Sequence, residues 1–145
     1  MKKLIATILT VSAFTYCCTQ INTDKKSSPD TEKLYHIDKI ERDCVAKNYT
    51  TTGMTNCGYE AMELWFKEID KYLELLKNVT SKNDYENILK SQSKWKEYQE
   101  AEFEAISVLT NKQGTIFQNI LIGKKRGLVK QRALDLKNLY DDLID

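Results

Sequence analysis

Residues 55–76, TNCGYEAMELWFKEIDKYLELL, set apolar side chains at Cys57, Ala61, Leu64/Trp65, Ile69, Tyr72/Leu73 and Leu76. Steps of three and four bring these onto one side of a helix, with Lys67, Glu68, Lys71 and Glu74 on the other. The spacing predicts a long amphipathic helix from about Thr55 to residues 78–82, and its apolar stripe needs something to pack against.

The chain on either side supplies it. Ser81-Lys82-Asn83-Asp84 carries helix-start chemistry. The same period then runs through Tyr85, Ile88/Leu89, Gln92, Trp95, Gln99, Phe103, Ile106 and Leu109, with Gln92 and Gln99 making the stripe polar in places. Asn111-Lys112-Gln113-Gly114 reads as a turn. Residues 115–143 return to the pattern at Ile116/Phe117, Ile120/Leu121, Leu128, Arg132, Leu136, Leu139/Tyr140 and Leu143, and Gly123 and Gly127 predict a kink or break there. Upstream, Ser28-Pro29-Asp30-Thr31-Glu32 precedes Leu34, Ile37, Ile40/Glu41, Cys44 and Val45, a first helix of about four turns. Asn48 to Gly53, rich in Thr and ending in Gly, predicts a loop. Short turns between such helices predict antiparallel neighbours. The fold class is all-α: a small antiparallel bundle of about four helices, residues 30–145, the first two linked by one disulfide.

Composition agrees. Of 145 residues, 41% are hydrophobic and 30% charged, with five Gly and one Pro, too few punctuating residues for a β-rich protein. The formal charge is +1, and a near-neutral domain excludes a long-range electrostatic argument for nucleic acid or an anionic membrane.

Residues 1–17 read as a signal peptide, with Lys2 and Lys3 ahead of the apolar or small run from Leu4 to Tyr16, which is too short to span a bilayer. Val11-Ser12-Ala13 suits ordinary cleavage. Cys17 and Cys18 stand where a bacterial lipoprotein carries its lipid-acceptor cysteine, although Tyr16 is bulkier than that pattern takes. The two readings stand level, and residues 18–29 form a polar tether in either. Export favours a disulfide between Cys44 and Cys57 over buried free thiols, and no further Cys or His accompanies them to complete a metal site. Closing a loop of about 15 residues stabilises by roughly 3 kcal/mol in the chain-entropy account.

Catalytic groups are scarce. His36 is the only histidine and is read as a surface residue. Glu60, Glu63, Glu68, Asp70, Glu97, Glu100, Glu102 and Glu104 alternate with lysines on helix faces, as solvated ion-pair networks do. Gly123-Lys124-Lys125-Arg126-Gly127 lacks phosphate-loop spacing and reads as a solvated helix break. Trp65 and Trp95 lie on apolar stripes and read as core. No catalytic residue, metal site or cofactor is nominated. The expected partner is a protein, with no nucleic acid and a membrane only through a lipid anchor.

Ile37-Asp38, Cys44, Thr51-Thr52-Gly53-Met54-Thr55-Asn56-Cys57, the helix through Ala61 and Trp65, and Trp95-Lys96-Glu97-Tyr98-Gln99-Glu100-Ala101-Glu102 together resemble the LprI-like lysozyme-inhibitor family. Arg132 and Leu136 look like the family's late Arg and Leu, and the likeness spans about residues 34–143. The chain departs where the family often has a second cysteine pair, at Phe103 and near Lys124, and carries Gln99 for the usual Arg.

The resemblance implies an envelope or secreted protein, periplasmic or outer-envelope-associated, that shields a bacterium from lysozyme or a related envelope hydrolase by occlusion. Thr51, Thr52, Gly53 and Met54 are then the candidate contact loop. A second arrangement stands beside this one, with Met54 folded back on the first helix and the threonines capping the second. A structural or assembly lipoprotein with another envelope partner is the alternative function.

Overall fold

The computed structural model describes residues 31–145, with side chains from His36 onward. The signal peptide, the tether and Cys17/Cys18 lie outside the described residues. Four helices follow in order: α1 (Thr31–Val45), α2 (Thr51–Val79), α3 (Lys82–Ser107) and α4 (Ile116–Ile144). A 3-10 turn, Val108–Asn111, closes α3, and the expected turn before α4 holds Gly114 at φ 102°. Ser81 caps α3 as its sequence predicts, its hydroxyl accepting from the Asp84 amide at 3.2 Å.

The main interface joins α2 to α4. These helices run parallel with a constant offset of 64 positions: Thr51 meets Thr115, Thr55 meets Asn119 and Gly58 meets Ile122. Trp65, Ile69, Leu76, Val129 and Leu136 are the large side chains buried in this layer, each contributing about 1.5–3 kcal/mol by removal from water. Gly58 permits the close approach, since a Cβ there would stand 3.0 Å from two carbons of Ile122.

The antiparallel order expected from short turns holds, but α2 and α3 are unequal partners in it. Although only a tight turn separates them, they touch sparingly, and α3 leans on α4 instead. The cause is in the stripe of α3: Gln92 is its one buried residue, so it offers no continuous apolar face to compete for α2. The apolar residues of α4 are spread round its circumference, which lets it pack on α2 and α3 at once.

On the far side of the pair, α1 lies antiparallel to both helices. Ile37 enters the core, while Lys130 pairs with Asp38 and Arg126 with Glu41, tying α1 to α4. The predicted break at Gly123 and Gly127 does not occur; α4 runs unbroken through both. Packing on α2 and α3 supplies what two weak helix formers withhold. A methyl group at either glycine would meet nothing within 4 Å. Gly123→Ala and Gly127→Ala should therefore each stabilise by about 0.5–1 kcal/mol, read as a rise in the denaturation midpoint with unchanged slope.

Candidate functional site

Helix α1 ends in a turn in which the Lys47 and Asn48 amides donate to the carbonyls of Cys44 and Val45 at 3.0 and 3.1 Å. The Asn48 side chain donates to the Cys44 carbonyl at 2.9 Å and sits 3.7 Å from each of the two sulfurs. Cys44 and Cys57 are joined, their Cα atoms 5.7 Å apart. The chain then turns tightly into α2, and here glycine is required: a Cβ on Gly53 would stand 2.8 Å from that of Asn48.

This geometry corrects the expected loop. Thr51, Thr52, Gly53 and Met54 form the first turn of α2. The Thr50 hydroxyl accepts from the Gly53 amide at 3.0 Å, and the Met54 amide donates to the Thr50 carbonyl at 2.9 Å. One capping threonine outweighs the poor helix propensity of the β-branched residues after it. Thr51 and Thr55 in turn contact Thr115 and Asn119 of α4. Of the four candidate contact residues, Thr52 alone is fully exposed, the others being half-buried. Tyr49, beside them in the turn, is 86% exposed.

The roles of Asn48 and Tyr49 were missed because a Thr-rich, Gly-terminated stretch reads as a loop whatever its neighbours do. The usable signal was Thr50 three residues before Gly53, the spacing of a cap.

Elsewhere the charged groups serve the fold. Glu68 pairs with Lys71 and Glu97 with Lys94 on exposed faces, and His36 is exposed. The cluster at 124–126 is not a solvated break. Arg126 reaches α1, while Lys125 lies 4.9 Å over the Phe103 ring and donates to the Ser107 hydroxyl at 3.0 Å. At the opposite end of the bundle two shallow hollows of about 270 and 310 Å³ share Asn87, Ile88 and Leu139. Among the described residues no three His, Cys, Asp or Glu side chains are grouped to hold a metal.

The clamp and the helices behind it coincide with a known sequence family: the model described as Lysozyme inhibitor LprI matches residues 44–136, from the first clamp cysteine to a core leucine of α4. The chain belongs to the LprI family. No curated protein matches it. A crystal structure of an uncharacterised protein from Burkholderia thailandensis is similar in fold, with a TM-score of 0.69 at 24% identity. That match covers 74% of this chain and 55% of the other, so the chain spans about half the length of that protein.

In this LprI-family chain the Trp95 stretch and the Arg132–Leu136 pair, on which the resemblance rests, meet in space. Arg132 lies 5.9 Å from the Trp95 ring and donates from Nε to the Gln92 side chain at 2.9 Å. Burial there lowers the guanidinium's pKa, with Asp135 opposing. The buried Gln92 that weakened the α3 stripe is thereby satisfied, and Leu136 enters the core beside it. Phe103 and Lys125 make their contact between α3 and α4, so the two helices are held at that point without a covalent bond.

Proposed function

We propose that this chain is an exported protein that binds lysozyme and occludes its cleft with the disulfide-clamped end of the bundle. The observation that carries this reading is the family match over residues 44–136, which contains the whole clamp. The build of that end supports it. The α1–α2 turn is fixed by a disulfide, an asparagine and a threonine cap, so little ordering entropy remains to be lost on binding. At its tip Tyr49 is offered to solvent, and tyrosine is among the residues that dominate binding energy at interfaces. Occlusion asks for no catalytic group on this chain.

Export rests on Lys2, Lys3 and the apolar run to Tyr16, with lipid attachment at Cys17 or Cys18 as the anchored form of the same proposal. Among the described residues no helix is long and apolar enough to cross a membrane. The test is lysis of a peptidoglycan suspension by an animal-type lysozyme with and without the purified oxidised protein. Stoichiometric inhibition is expected. A folded protein that leaves lysis unchanged at large excess would turn the reading toward another envelope partner.

A further inference from the structure

Between Lys47 and Lys67 lie 19 residues without a lysine or arginine, in a chain that has 22 of them. The charged groups in that stretch are Glu60 and Glu63. Thr52, Asn56, Tyr59 and Glu63 recur at steps of four, three and four, so they share one face of α2, and all four are exposed, as is Glu60. This face is turned away from the Gly58, Trp65 and Ile69 side that packs on α4. Tyr59 is 44% exposed and Tyr49, at the adjoining turn, 86%.

Neither glutamate forms an ion pair among the described residues, whereas the two glutamates farther along α2 do: Glu68 with Lys71 and Glu74 with Lys77. Glu60 lies beside the clamp, its Oε2 3.9 Å from the bonded Cys44 sulfur. The overall charge near zero thus conceals a local separation, in which one end of α2 is negative and aromatic.

We infer that the face of Tyr49, Tyr59, Glu60 and Glu63 is the docking surface for a folded protein with a cationic rim. This rests on the lysozyme reading and gives it a contact surface: animal-type lysozymes are basic, and their cleft margins offer the lysine and arginine side chains that two unpaired carboxylates would meet. Charge complementarity selects that occupant over an apolar segment or a second copy of this chain, whose own face would repel it. The tyrosines supply rigid, amphipathic contact area, and the carboxylates act over about a Debye length, 8 Å at physiological salt.

The experiment titrates animal-type lysozyme with the purified oxidised protein and its variants at about 50 and 300 mM salt, with thermal unfolding recorded for each. The wild-type protein should bind more weakly at high salt. Glu60→Lys/Glu63→Lys should bind at least about tenfold more weakly, Tyr59→Ala about tenfold, and Glu60→Gln/Glu63→Gln should lose most of the salt dependence. Glu74→Lys, farther along the same helix, should match wild type. Wild-type inhibition that survives in a folded Glu60→Lys/Glu63→Lys variant, or an unchanged salt slope in the Gln pair, overturns this surface and leaves the inhibitor reading standing. Absence of wild-type binding at both salts overturns the inhibitor reading and this surface with it.

Discussion

Replacing Trp65 by alanine should cost about 3–5 kcal/mol and leave little of the cooperative unfolding transition of this small bundle. Trp65 has no exposed surface, sits in the α2–α4 layer beside Ile69 and Val129, and has the Lys130 ammonium 5.3 Å from its ring. Removing it leaves a cavity in the interface that supports both flanking helices, and the whole stability of such a domain is on the order of 5–15 kcal/mol. Trp65→Phe separates size from chemistry. The indole Nε1 is buried without a hydrogen-bond acceptor among the described residues, and such a donor costs about 1–3 kcal/mol. Phenylalanine removes that cost while giving up part of the buried area, so its loss should be well below that of alanine. Urea unfolding of the two variants checks the order; equal losses would show that a phenyl ring recovers none of the packing the indole makes.

The second large effect is expected on removing the clamp. With Cys44 and Cys57 separated by 13 positions, the chain-entropy account assigns the disulfide about 3 kcal/mol. Cys44→Ala/Cys57→Ala should lose that amount, and the loss should be uneven. Without the bond the described residues of α1 keep the buried apolar side chain of Ile37 and the ion pairs to Lys130 and Arg126, and partly exposed pairs each contribute little. Amides of α1 should exchange early in hydrogen-exchange measurements while those in the α2–α4 layer stay protected. The oxidised protein should lose inhibition on reduction in the same step, because the Tyr49 turn is held by the clamp. Uniform exchange across all four helices would show instead that α1 and the core unfold as one unit.

These effects separate stability from recognition in the family's recurring residues. Arg132, Trp95, Gln92 and Leu136 fasten α3 to α4, so substitutions there should act on inhibition only through the fold. Tyr59, Glu60 and Glu63 are exposed, and substitutions there should act chiefly on binding.

The four helices, the disulfide and the Ser81 cap were legible in the sequence because each depends on neighbours within a few positions: a three-four period, a capping hydroxyl, two cysteines in an exported chain. Which helices pair was not. The turn between α2 and α3 suggests adjacency, but the glutamines of α3 cannot compete for α2 with the apolar circumference of α4, and that comparison is made across the whole bundle. The helical state of Thr51 to Met54 and the continuity of α4 through Gly123 and Gly127 were decided the same way, by contacts from another helix overriding local preference. The solvent face at Tyr59 and Glu63 follows from this too, since a residue's exposure is settled by the partner its helix turns toward, and that partner is 64 positions away along the chain.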